Sequence, residues 1–311
     1  MPSDQNRIPF RVRPMLATLV QKPFHKPGWI YEEKYDGYRI LAYKEGDRVT
    51  LVSRNGNDRT ATYASVVRAI RQLRAHKLLL DGEVVAFDSH GISRFQLLQV
   101  GSTATAYAVF DCVYSSGRDL RYEPLEIRRA AAESAVDKVE GLMMSRRLAD
   151  NGLEAYKIAK KKGYEGLVAK DLSSPYIEGR SSKWLKVKVH QEEELVIGGF
   201  TEPEGSRRYF GALLLGAHDG GKLRYVGKVG TGFSEDTLAS LYRKFRPLVQ
   251  SKPPFVDPPR ERNVTYLRPK LIAQISFQEW TADRKLRQPV FLGLRDDKRP
   301  EEVRLPAKGT V

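Results

Sequence analysis

The sequence predicts a two-domain chain: an α/β (α+β) domain over residues 1–190, then an all-β barrel domain over residues 191–311. Three observations predict it. With 311 residues the chain has room for two ordinary cores. Up to His190, period-two apolar runs alternate with stretches whose apolar residues share one helical face. Beyond it, short strand-like runs succeed one another across Gly-rich turns with a single helix among them.

In chain order, the proline-rich, basic stretch to Gly28 reads as irregular chain on the surface. Strand alternation begins at Trp29-Ile30-Tyr31, and 39–43 with 49–52 read as a hairpin around Lys44-Glu45-Gly46-Asp47-Arg48. Residues 63–74 put Val66, Val67, Ile70 and Leu73 on one helical face. Strands are expected at 78–87, broken by Asp81-Gly82, and at 107–114. Pro124 near a first turn starts a helix to Val139, and 153–162 form another that stops at Gly163. The run Lys160-Lys161-Lys162 suits the dipole of that helix's last turn. Residues 166–171 and 184–189 are strands again. Gln191-Glu192-Glu193-Glu194 reads as an acidic hinge. Strands at 195–200, 210–217, 223–229 and 271–280, with an amphipathic helix over 234–245, fit a small barrel of the OB type.

Lys+Arg 53 against Asp+Glu 38 gives +15, and the pI of 9.7 favours a polyanionic partner. The lone cysteine, Cys112, excludes an intramolecular disulfide and sits among apolar neighbours as core filler. No apolar run is long enough to span a bilayer as a helix, and the N-terminus lacks a secretory pattern, so a cytoplasmic protein is expected.

The most informative stretch is Glu32-Glu33-Lys34-Tyr35-Asp36-Gly37-Tyr38-Arg39. A surface lysine is protonated and useless as a nucleophile. In a partly desolvated cleft near another cation it loses its proton and can attack phosphorus. Gly37 is expected to let the backbone approach a ligand. Downstream, Trp184-Leu185-Lys186-Val187-Lys188 puts two lysines on one face of a strand, where a shared anion would relieve their repulsion.

Lys34-Tyr35-Asp36-Gly37-Tyr38-Arg39 resembles the adenylation motif of ATP-dependent DNA ligases. Further strings follow in the order that family has them: Ser53-Arg54-Asn55-Gly56, Asp81-Gly82-Glu83-Val84-Val85, Glu165-Gly166-Leu167-Val168-Ala169-Lys170, Trp184 to Lys188, and Leu294-Arg295-Asp296-Asp297-Lys298. The resemblance implies an adenylating nucleotidyltransferase domain followed by an OB-fold domain, with Lys34 as the residue that takes AMP from ATP. It implies Glu32 beside the adenine edge, largely through its backbone, and Phe110 as the stacking wall. Arg39 would meet the ribose, Arg54 a phosphate, and Arg180 the border of the nucleotide. Lys186 and Lys188 would hold the α-phosphate. Glu83, as ribose or metal ligand, and Glu165 would serve Mg²⁺ (or Mn²⁺), which keeps most of its waters and needs few protein oxygens. In the second domain Arg295 and Lys298 would orient pyrophosphate, with Asp297 positioning the attacking lysine.

The match runs from Arg13-Pro14-Met15-Leu16-Ala17 to Lys298 and is nearest in spacing to the ligase domain of bacterial end-joining enzymes and their short stand-alone relatives. Its implied activity is the sealing of nicks in duplex DNA during repair or end joining. Implied partners are nicked DNA and, in the end-joining setting, a Ku-type end-binding protein. A monomer in the cytoplasm, associated with the nucleoid of a prokaryote, is expected. The chain is expected to be either a minimal enzyme or part of a longer one, Met1 favouring the first. An RNA ligase, or another nucleotidyltransferase such as a capping guanylyltransferase, shares the lysine chemistry. A non-catalytic OB-fold clamp on nucleic acid is the reading from a different class.

Overall fold

Period-two apolar runs give the chain its sheets. The computed structural model describes residues 7–100, 104–136, 138–189, 191–203, 205 and 207–306. Two units separate, Met1–Val189 and His190–Val311. Residue 190, the expected end of the first domain, lies outside the described residues.

The first unit runs β1 Met15–Leu19, β2 Trp29–Glu33, β3 Tyr38–Glu45, β4 Arg48–Ser53, α1 Ala64–Arg71, β5 Lys77–Ala86 and α2 Phe95–Val100. It continues with β6 Thr105–Ser115, β7 Arg118–Asp119, α3 Leu125–Val136, β8 Leu142–Met144, β9 Arg147–Ala149, α4 Gly152–Lys162, β10 Gly166–Asp171 and β11 Gly179–Lys188. One sheet has the order β1-β11-β10-β2-β9, the other β4-β3-β5-β6-β7 with β8 on β6. The two sheets face each other. Met15 and Ile30 from the first pack with Leu41, Leu79 and Phe110 from the second in a single cluster. Residues of α1 and α3 cover the outer face of the second sheet, and Ala155 of α4 packs outside the first.

Several expectations need correction. The stretch before Gly28 is not all irregular: β1 pairs in parallel with β11, from Met15 opposite Gly179 to Leu19 opposite Lys186. The β3–β4 hairpin is tighter than expected. Glu45 pairs with Arg48, so only Gly46 and Asp47 turn, with Gly46 at the positive φ of 58° that such turns favour. Asp81-Gly82 does not break β5; it makes a register shift against β6. The α4 helix behaves as its caps dictate. Asn151 accepts the amides of Leu153 and Glu154, and Gly163 ends the helix at φ 74°.

The second unit runs β12 Glu192–Thr201, β13 Leu213–Asp219, β14 Lys222–Val229, α5 Glu235–Phe245, β15 Val249–Gln250, β16 Val264–Ser276, β17 Glu279–Trp280, β18 Leu286–Arg287 and β19 Val290–Arg295. The expected acidic hinge is strand. Glu192, Glu193 and Glu194 pair with Ser276, Ile275 and Gln274 of β16. The main sheet has the order β14-β13-β12-β16-β15 with β19 beside β16. Its apolar face closes over Leu238, Leu241 and Phe245 of α5, which Ser234 caps by accepting the Thr237 amide.

Candidate active site

The chemistry-bearing residues of the first unit meet on the facing surfaces of its two sheets. Side chains alternate along β2, so Glu32 shares the inner face with Ile30, while Glu33 turns away. Lys34 follows directly. Its backbone is pinned because Glu33 donates to the Arg146 carbonyl (2.9 Å) and Lys34 to the Gly166 carbonyl (3.1 Å). That second bond brings the lysine beside Glu165, one residue ahead of β10, and the Lys34 ammonium is ion-paired to Glu165 Oε1. Both side chains are mostly buried, 19% and 11% exposed.

This pair corrects the expectation of a neutral amine. Burial works to strip the Lys34 proton, but Glu165, Glu83 and Asp36 outweigh it and its pKa rises. Burial likewise opposes the Glu165 charge, yet Lys34, Lys188 and Lys186 carry its pKa below the ordinary value. Without its substrate, the lysine is a held cation.

Around it the nucleotide-binding candidates line one cleft: Glu32, Lys34, Arg39, Arg54, Glu83, Phe110, Arg180 and Lys186. Arg39 is fixed as a fork on Asp81, Nε to Oδ1 at 2.6 Å and Nη2 to Oδ2 at 2.7 Å, with Nη2 also donating to the Met15 carbonyl. Tyr176 donates to the same carboxylate at 2.6 Å. The guanidinium lies 4.3 Å from the centroid of Phe110, whose ring meets Trp184 edge-on at 5.8 Å. Arg180 donates to the Ala17 carbonyl from β11. Lys186 and Lys188 share a strand face with Trp184, which is fully buried, while Val187 points into the opposite core. Glu83 accepts the Gly37 amide at 3.0 Å. That contact explains the glycine differently from the sequence reading: a Cβ at Gly37 would collide with the Val84 carbonyl oxygen, so its bareness serves the β3–β5 approach.

Glu32 is bound through its side chain, not only its backbone. It is ion-paired to Arg129 on α3 and, at 2.5 Å, to Lys170 on β10. Sequence reasoning assigned no role to Lys170, Arg129 or Trp184, all of which frame this wall. Lys170 is 2% exposed, and burial, opposed by Glu32, takes its pKa down. Alternation could have found it, since Lys170 stands two residues after cleft-lining Val168 on one strand face.

Among the described residues no group of three or more His, Cys, Asp or Glu side chains is arranged as a metal cage. Glu165 and Glu83 both act on the Lys34 ammonium. Two carboxylates around one point fit Mg²⁺ that completes its shell with water and phosphate oxygens.

The remaining candidates belong to the second unit. Arg295 forks onto Asp297 at 2.8 Å for both bonds and reaches Gln274 Oε1 at 3.2 Å, while Lys298 is ion-paired to Glu194. Arg295 and Asp297 are 9% and 8% exposed at their side chains, so the three form a folded cluster on β12, β16 and β19 and not a loose cationic tail.

Glu33 has a consequence of its own. Burial pushes its carboxyl up to about 7, against the pull of Arg146 at 2.9 Å. A carboxyl raised above its unfolded value of 4.5 costs stability when ionised, a cost that starts above 4.5 and is complete past about 7. Wild-type protein should therefore lose up to about 3 kcal/mol through this group between pH 5 and 8. Glu33→Gln should flatten that loss, and urea unfolding of both proteins at the two pH values checks it.

Comparison with known proteins decides the family. Residues 14–188 match the ATP dependent DNA ligase domain, and residues 206–298 match the ATP dependent DNA ligase C terminal region. The chain belongs to the ATP-dependent DNA ligase family. It is 38% identical over 309 residues to the multifunctional non-homologous end joining protein LigD of Pseudomonas aeruginosa, covering 95% of this chain and 37% of that protein. It is also 38% identical over 311 residues to LigD of Mycolicibacterium smegmatis, covering 97% and 41%. The chain thus spans about two fifths of the curated relatives it matches. Among solved structures, a mycobacterial DNA ligase D complexed with ATP and MES shares 34% identity at a TM-score of 0.74, over 96% of this chain and 100% of that one. The ligase domain of M. tuberculosis LigD shares 36% at 0.56, over 95% and 99%. Membership sets the fold class as expected, an adenylating nucleotidyltransferase domain followed by an OB-fold domain. The likenesses do not favour the RNA-ligase or clamp readings. No helix among the described residues is long and apolar enough to cross a membrane.

Proposed function

We propose that this chain seals nicks in duplex DNA within end-joining repair, through AMP carried on Lys34. The supporting observation is a lysine buried beside Glu165 in a cleft walled by Phe110, Trp184 and cations. The Lys34 ammonium first passes a proton to water; its neutral nitrogen then attacks the α-phosphorus of ATP, an N–P bond forms, the bond to pyrophosphate breaks, and a second N–H proton goes to solvent. Lys186 and Lys188 balance the charge of the α-phosphate. A 5′-phosphate oxygen of DNA then takes the AMP, breaking the N–P bond. The adjacent 3′-hydroxyl attacks the 5′-phosphorus and AMP departs.

Glu165 and Glu83 would hold Mg²⁺, which supplies positive charge to the phosphates when bound. Glu165 drawn away from Lys34 no longer holds its proton, so the same carboxylate that restrains the amine in the free protein releases it. Arg295 and Lys298 orient pyrophosphate, with Asp297 positioning the lysine. The chain works as a monomer with the nucleoid, alongside a Ku-type end-binding protein, and its domain boundary falls near residue 190. A net charge of +15 grips DNA by its backbone. Affinity for a nicked duplex should fall roughly 10³-fold or more between 50 and 200 mM salt if about six or more phosphates are neutralised, as fluorescence anisotropy would measure.

Intact mass after incubation with ATP and magnesium, then peptide mapping, tests the function. An AMP adduct on Lys34 that discharges to seal nicked DNA supports it. Absence of any adduct overturns it.

A further inference from the structure

We propose that Arg146 is a positioning residue for adenylation, holding the nucleophile and its carboxylate partner in register from outside the nucleotide cleft. The proposal rests on the reading that Lys34 attacks ATP.

Arg146 lies in the link between β8 and β9, where the chain crosses from the second sheet to the first. It is not among the residues that line the cleft. It grips the lysine from both sides. Its carbonyl accepts the Glu33 amide at 2.9 Å, and its own amide donates to the Tyr35 hydroxyl at 3.0 Å. Its Nη1 donates to Glu33 Oε2 at 2.9 Å and also to the hydroxyl of Tyr164. Glu33 and Tyr35 flank Lys34 in the chain, and Tyr164 directly precedes Glu165, the carboxylate ion-paired to Lys34. One residue therefore ties down both members of that pair.

Stability does not account for the arrangement. The Glu33 side chain is fully buried, and among the described residues its Oε1 has no hydrogen-bond partner. The guanidinium is 42% exposed, so water screens its pull. Burial therefore prevails, and the carboxyl ionises only near its raised value of about 7, at a cost to the fold. Arg146 is the charge that acts on it, and Tyr164 shares that guanidinium. Tyr35, pushed up by burial and then by Glu33, keeps its proton at pH 8. Buried pairs of this kind add little over apolar packing, and their best use is to fix one arrangement among several. For an amine that must stand in line with a phosphorus, a misplacement of about 1 Å costs on the order of 10²-fold in rate.

The test separates two steps: adduct formation with ATP, and sealing of a nick that already carries AMP. Arg146→Met keeps the backbone bonds and removes those of the side chain. It should slow adduct formation at saturating ATP roughly tenfold to hundredfold. The ATP concentration that gives half the maximal rate should change by less than about threefold, and sealing of the pre-adenylylated nick by less than about threefold. Arg146→Lys, which returns a cation to Glu33, should recover most of the rate. Should the methionine variant fail to fold, Glu33→Gln carries the test. At pH 8 it should be more stable than wild type yet form the adduct about threefold to tenfold more slowly. At pH 6, where the wild-type carboxyl is itself neutral, the two should agree within about twofold. A purely structural role would move stability and rate in the same direction. Equal slowing of both steps by Arg146→Met, or a loss seen only as weaker ATP binding, overturns the positioning role and leaves the ligase reading standing. So does Glu33→Gln that matches wild type at pH 8. A wild type that forms no adduct with ATP overturns both.

Discussion

Replacing Lys34 by alanine should abolish the AMP adduct, a loss on the order of 10⁴-fold or more, because no other amine occupies its place against the α-phosphorus. The variant should still join a nick whose 5′-phosphate already carries AMP, since that step needs no lysyl intermediate. Intact mass and a sealing assay on pre-adenylylated DNA separate the two. An adduct persisting in the variant would place the nucleophile elsewhere. The substitution is not silent for the fold, because Glu165 is 11% exposed and loses its nearest cation. Lys186 and Lys188 remain to offset its charge, so the cost should be about 1–3 kcal/mol, below that of stripping a fully isolated buried charge. The sign with pH is fixed by the two shifts. Raised Lys34 contributes stability that is present below its unfolded value of 10.5 and is lost as pH climbs through the folded one. Lowered Glu165 contributes stability present above 4.5 and lost as pH falls through its folded value. The difference between wild type and Lys34→Ala should therefore be largest near neutrality and vanish in acid, where Glu165 takes a proton. In the wild type, the rate of adduct formation should rise toward alkaline pH.

What the sequence made legible is what alternation and short strings encode. β10 begins at a glycine and its extent could be read directly, while the hairpin of β3 and β4 was located by its alternation but its turn was read too long. Lys34, Glu165 and Lys186 stood out because each sits in a string with its own order. The rest depends on partners far along the chain. β1 is a strand only because β11, more than 160 residues later, offers it an edge. The short helix α2 has no visible period; Asp36 of the lysine motif accepts the Phe95 amide at 3.1 Å and starts it. Asp36 thus does structural work that its place beside the nucleophile concealed. The protonation of Lys34 was misjudged for the same reason. Desolvation is foreseeable from an apolar neighbourhood, whereas the distance to Glu165 is set by the pairing of β2 with β10. For Lys170 the only local signal was its alternation with Val168 on β10, which puts it on the cleft face without showing the two aromatic rings it meets there.

Arg128→Met should be the most damaging single change outside the cleft, lowering stability by about 3–5 kcal/mol and the melting temperature of the first unit by roughly 10 °C. Arg128 on α3 is completely buried and spends its fork on Asp111, Nε to Oδ1 at 2.8 Å and Nη2 to Oδ2 at 2.9 Å. Its Nη1 donates to the carbonyls of Glu123 and Ser174, both at 2.7 Å. Methionine fills a similar volume but leaves one carboxylate and two carbonyls without these donors, and unmade bonds at buried groups are the expensive kind. Arg128→Lys should recover less than half of the loss, because one ammonium cannot span Asp111 and two carbonyls as a planar fork does. The pH dependence distinguishes this cause from a packing defect. Burial already raises the Asp111 pKa although Arg128 pulls it down. Removing the guanidinium raises it further, so the variant's deficit should shrink toward acid as Asp111 becomes neutral. A deficit equal at pH 5 and pH 8 in thermal melts would assign the loss to volume alone. Because Asp111 adjoins Phe110 on β6, slackening there should also raise the KM for ATP while the Lys34–Glu165 pair, which belongs to the other sheet, keeps its place.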